Sequence, residues 1–125
     1  MIKKIKMICF GLLFTQILHA GSISLIAGAN MDFVLNPHDR QEFTNISFQA
    51  INATCAITTD AVSGNDIFVE VLRKKGKVND IPLSAGDNVI IHVNNHDNLF
   101  IVAESGGKVA LTNLSDFKVI AKCVS

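Results

Sequence analysis

One pattern constrains this chain more than any other: apolar residues recur at every second position, in short runs separated by Gly, Asn and Asp. Ile51, Ala53, Cys55 and Ile57 alternate with Asn52, Thr54 and Thr58, and near the end Phe117, Val119, Ala121 and Cys123 alternate with Lys118 and Lys122. Successive side chains on a strand point to opposite faces, so such runs read as half-buried β-strands. No segment longer than a few residues has the i, i+3, i+4 recurrence of an amphipathic helix.

The other runs extend the pattern. "ISLIA", "MDFVL", "DIFVEVLRK", "DNVIIHVNN", "NLFIVAE" and "KVALTNL" read as further strands, with "NPHDR", "SAGDN" and "ESGGK" as turns and "RKKGK" as a solvated hairpin turn. Ile46, Phe48 and Ala50 occupy the opposite phase to Ile51 and Ala53. A change of phase at Ala50–Ile51 requires a β-bulge or a crossing between sheets. Seven to nine strands are expected, in an antiparallel two-sheet sandwich of immunoglobulin-like type, with a small barrel as the alternative. No internal repeat, low-complexity tract or interdomain linker stands out.

The first twenty residues read differently. "MIKKIKM" supplies three lysines, "ICFGLLFTQIL" an apolar run too short to span a bilayer comfortably, and Ala20 a small-residue cleavage position. Residues 1–20 are therefore expected to be a cleaved signal peptide, and residues 21–125 a single domain that is secreted or periplasmic. Cys9 lies inside the apolar run and Gly21 occupies the first mature position, so no lipid anchor and no stable membrane anchor are expected. Loss of Lys3, Lys4 and Lys6 leaves 8 basic residues against 11 acidic ones, a net charge of about −3. A nucleic-acid partner, which needs a positive surface, is disfavoured.

Export also sets the cysteine count at two, Cys55 and Cys123, both on the apolar phase of their strands. An even count in an oxidising compartment predicts a structural disulfide between them, meeting in the core either between the sheets or across neighbouring strands. A nucleophilic or metal-bound thiolate is not expected, because there is no C-x-x-C pair, no repeated Cys/His spacing and no electropositive setting.

Other candidates for chemistry have plainer readings. His92 and His96 lie four residues apart, about 13 Å on an extended strand, whereas two zinc ligands must each approach to about 2 Å. "HVNNHDN" therefore reads as a solvated turn, and the His-Asp dipeptides of "NPHDR" and "NNHDN" as coincidence. Three sequons, "NIS", "NAT" and "NLS", match the glycan acceptor pattern, but the short lysine-rich start has a bacterial character and no glycans are expected. There is no G-x-S-x-G elbow, no Ser/His/Asp set of telling spacing and no carboxylate pair placed for acid–base work. No catalytic, metal or cofactor residues are assigned, and an enzyme is not expected.

Several strands are apolar on both phases. Phe68, Leu72, Ile90, Phe100, Val102 and Ile120 oppose the residues assigned to the core. A face that meets only water alternates more cleanly. These six are either covered by the domain's own second layer or form a candidate interaction face for a protein partner or for self-association. The absence of Trp and Tyr weighs against a sugar-stacking platform.

As a strand pattern only, residues 21–125 resemble the immunoglobulin-like sandwiches of bacterial surface and periplasmic proteins, such as pilus subunits and their chaperones. The Cys55–Cys123 pair departs from the early-strand disulfide of typical pilins, so no family is assigned. The expected function is that of an exported, non-enzymatic protein that binds another protein at the cell envelope or outside the cell. The alternatives are a structural subunit of a surface assembly, or a small secreted enzyme or enzyme inhibitor.

Overall fold

The structure is a computed structural model that describes residues 21–125; the expected signal peptide lies outside the described residues. Eleven strands and no helix make up the described chain: β1 (Gly21–Leu25), β2 (Met31–Leu35), β3 (Arg40–Asn45), β4 (Ile51–Thr59), β5 (Asn65–Arg73), β6 (Lys75–Val78), β7 (Ile81–Ser84), β8 (Asn88–Val93), β9 (Asn98–Ala103), β10 (Lys108–Asn113) and β11 (Val119–Val124). They form a five-stranded sheet, β1-β3-β10-β5-β8, and a six-stranded sheet, β2-β11-β4-β9-β6-β7. The two sheets face each other as a sandwich, not a closed barrel, and every pairing is antiparallel except β1 on β3.

The alternation explains the core. On β5, Ile67, Val69 and Val71 are buried while Asp66 and Leu72 face outward; on β11, Val119, Ala121 and Cys123 are buried while Lys122 is exposed. The rings of Phe33 and Phe43 bridge the sheets with centroids 4.8 Å apart. Each large aliphatic or aromatic side chain fully removed from water contributes roughly 1.5–3 kcal/mol, and the buried set draws on ten of the strands.

The structure corrects the expected strand count of seven to nine. β3 escapes the period-two reading because Arg40, Gln41 and Glu42 leave only Phe43 as an apolar signal. "RKKGK" is not a hairpin turn: Lys74, at φ 65°, switches the chain from one sheet to the other, and β6 follows at once. The hairpin comes later, at Asn79–Asp80, whose φ values of 48° and 67° suit a two-residue β-turn between β6 and β7. Ile46, Phe48 and Ala50 are exposed loop, not strand, and the phase change at Ala50–Ile51 is the loop by which the chain crosses from β3 to β4 in the other sheet. Phe117 precedes β11 and is exposed rather than sharing the buried phase.

An internal repeat, not evident from the strand pattern, also emerges. The cysteines are 68 residues apart, and positions with that same spacing play the same parts. The segment β2–β3–β4 and the segment β9–β10–β11 each cross from the six-stranded sheet to the five-stranded sheet and back. Their tight turns place His38 (φ 62°) and Gly106 (φ 76°) in the left-handed region, with Asp39 N–H donating to Asn36 O and Gly107 N–H to Glu104 O. "TNIS" ends β3 as "TNLS" ends β10. The strand registers obey the same relation: Met31 lies opposite Cys123 and Leu99 opposite Cys55, while Leu35 lies opposite Val119 and Ala103 opposite Ile51. The two halves are thus related by an approximate two-fold axis through the Cys55–Cys123 pair.

Candidate functional site

Cys55 and Cys123 are directly opposite each other on β4 and β11, with Cα atoms 3.9 Å apart, and form a disulfide. Both side chains are buried. Of the two core placements expected, between the sheets or across neighbouring strands, the second is found: the bond joins adjacent strands of one sheet, on its buried face. A disulfide points to an oxidising compartment.

The candidate interaction residues fall on two opposite surfaces. Phe68, Leu72 and Ile90 face outward from the five-stranded sheet, with Phe68 and Ile90 paired across β5 and β8. Phe100, Val102 and Ile120 face outward from the six-stranded sheet, where Ile120 pairs with Val34. Ile90 is 57% and Phe100 49% exposed; Leu72 is exposed, and Phe68, Val102 and Ile120 are half-buried. No further layer of the described chain covers either surface.

The outer face of the five-stranded sheet also carries charge. Arg40 donates to Glu42 (2.6 Å) and to Glu70 (3.4 Å), and Lys108 Nζ lies 3.1 Å from Glu42. The hydrogen bond from Arg40, aided by Lys108, holds the Glu42 carboxyl below the usual carboxylate range, and the Arg40 guanidinium is shifted up chiefly by Glu42. Beside Ile90 on β8, His92 Nδ1 lies 2.8 Å from Asp66 Oδ1, and that bond is the main cause raising the His92 pKa. His96 stands at φ 73° in the β8–β9 turn, its N–H donating to Ile57 O. No group of three or more metal-ligating side chains comes together among the described residues.

Two of the sequons prove to be structural. Asn45 and Asn113 are both buried. Asn45 Nδ2 donates to the carbonyls of Gln49, Ala103 and Glu104, and its Oδ1 accepts from Ser47 N–H. Asn113 Nδ2 donates to Leu35 O and Phe117 O, and its Oδ1 accepts from Ser115 N–H. These side chains satisfy backbone groups where the chain leaves one sheet for the other. The asparagine of "NAT", Asn52, is exposed.

Sequence reasoning missed the edge of β3, where β1 pairs in parallel through Ile23 opposite Phe43 and Leu25 opposite Asn45. The recurrence of "TNIS" in "TNLS" was the signal that could have found it. Beside this edge lies an apolar cavity of about 140 Å³, lined by Leu25, Met31, Phe43, Ala53, Ile101 and Val109 among others. No helix among the described residues is long and apolar enough to cross a membrane. No family model, curated protein or solved structure matches this chain.

Proposed function

We propose that this chain is an exported, non-enzymatic β-sandwich that binds another protein at the cell envelope or outside the cell. The observation that carries the reading is the outward exposure of Ile90 and Phe100, with half-buried Phe68 paired to Ile90 and half-buried Val102 next to Phe100 on β9, while Ile120 sits elsewhere on the six-stranded sheet, paired with Val34. Apolar side chains grouped on a sheet face lose unfavourable contact with water when a partner covers them. The disulfide, which favours an oxidising compartment, is consistent with an extracytoplasmic site of action.

Cross-linked affinity capture from the native envelope or culture fluid tests this reading. A partner captured by the wild type, and lost on Ile90→Asp or Phe100→Asp or when the β3 edge is blocked, supports it. No partner and no self-association would contradict it. Concentration-dependent polymers in light scattering would instead favour a structural subunit of a surface assembly.

A further inference from the structure

Among the described residues, the two halves differ by one block of chain. In the second half, β5 lies between β10 and β8, and β6 pairs with β9. In the first half, β1 and β8 correspond as the strands that lead by similar turns into β2 and β9: Ala29 N–H donates to Ile26 O as Asp97 N–H donates to Asn94 O. Here, however, β1 pairs with β3 directly, and among the described residues no strand pairs with the outer edge of β2. β1 runs parallel to β3, the direction that β8 takes relative to β10 across the intervening β5.

The consequence is a difference in packing. Ile67, Val69 and Val71 of β5 lie opposite Asn113, Leu111 and Val109. At the matching places on β3, Asn45, Phe43 and Gln41 face Leu25, Ile23 and Gly21 of β1. Gly21 of β1, which has no side chain, stands opposite Gln41 where β5 supplies Val71 opposite Val109. Beside Leu25 is the cavity of about 140 Å³. Its counterpart, lined by Val93, Leu99, Leu111 and Val119 and filled by Ile67, holds only about 10 Å³. Close-packed interiors leave few voids of the larger size.

We infer that the β1–β3 junction receives one extended segment of a partner protein, which enters antiparallel to β3 and takes the place that β5 holds in the other half. Inward positions of that segment carry aliphatic side chains that fill the cavity, as Ile67 does. Main-chain pairing with β3 supplies affinity, and the alternate side-chain pockets supply selectivity. Its outward residue opposite Glu42 is basic or neutral. In the second half that place is Glu70 opposite Ala110, and a second carboxylate against Glu42 would be repelled.

The inference rests on the protein-binding reading and names the edge that reading would use. The probe is a synthetic peptide with the sequence of Asn65–Arg73, 9 residues, carrying Glu70→Lys. Titrated into the disulfide-bonded protein, it should bind one to one and slow amide exchange on β1 and β3. Ile67→Asp in the peptide should weaken binding at least about tenfold, since it places a carboxylate in an apolar cavity. A protein locked by Ser24→Cys with Thr44→Cys, which face each other across β1 and β3, should lose the peptide while retaining its fold by circular dichroism. Absence of binding to the wild type, equal binding to the locked protein, or protection confined to β8 would overturn the inference. A dimer of this chain that excludes the peptide and is abolished by the lock would assign the edge to a second copy and overturn it too. If the wild type captures a partner from its native environment yet ignores the peptide, only the edge assignment fails. If nothing is captured while the peptide binds, only the physiological reading fails.

Discussion

Asn45 and Asn113 stand as far apart in sequence as the two cysteines, and each closes the loop that carries the chain out of the five-stranded sheet. Both are buried, and both are hydrogen-bonded through donor and acceptor alike. Either replaced by Ala removes these bonds together and takes from the Ser47 or Ser115 N–H its side-chain acceptor, at a cost of about 3 kcal/mol each. Asn52→Ala, at the exposed third sequon, should change stability by less than about 0.5 kcal/mol. Denaturant midpoints of the three variants check this; equal, small effects would remove the structural role assigned to the two buried asparagines.

The disulfide joins residues 68 apart in sequence. In the chain-entropy model its removal costs about 4 kcal/mol. The Cys55→Ala, Cys123→Ala variant should therefore unfold at a much lower denaturant concentration. The free thiols of the folded wild type should also be undetectable by mass analysis without reduction.

Outward apolar residues should be dispensable for folding. Ile90→Asp and Phe100→Asp should each shift stability by less than about 1 kcal/mol, against about 3 kcal/mol for Ile67→Ala in the core. Thermal or denaturant unfolding separates the two classes. A large loss at Ile90 or Phe100 would mean that these side chains serve the fold rather than a partner.

His92 titrates above the ordinary imidazole value because Asp66 bonds its protonated ring. Its contribution to stability is therefore present below the unfolded imidazole pKa of about 6.5 and lost as pH rises through the higher folded value. The His92 ring resonances should titrate above those of an unfolded peptide, and Asp66→Asn should bring them down. Because His92 and Asp66 are both largely exposed, the effect on stability should be small and salt-sensitive.

Much of the fold was legible because burial on one face of a strand writes itself into alternate residues. Cys55 and Cys123 sat on the apolar phase of their strands, and the structure places them side by side. β3 was not legible, since its outward positions include charged Arg40 and Glu42 and Gln41 stands on its inward phase. Ile46 and Phe48 misled in the opposite sense: they alternate as a strand would, but the Asn45–Ser47 hydrogen bonds bend the chain away from the sheet and leave both exposed. The outward apolar residues were identifiable from two-sided strands, whereas their division between two opposite surfaces depends on sheet order. The β3 edge depends on the comparison of two halves, a long-range relation that no local pattern carries.

Native-state hydrogen exchange of the free protein tests most directly whether β1 yields its place on β3. The amides of β1, and those of β3 bonded to it, should exchange by a local opening several powers of ten faster than the amides linking β5 to β10, which should exchange only on global unfolding. Protection of β1 equal to that of β5 would contradict an edge that opens for a partner strand.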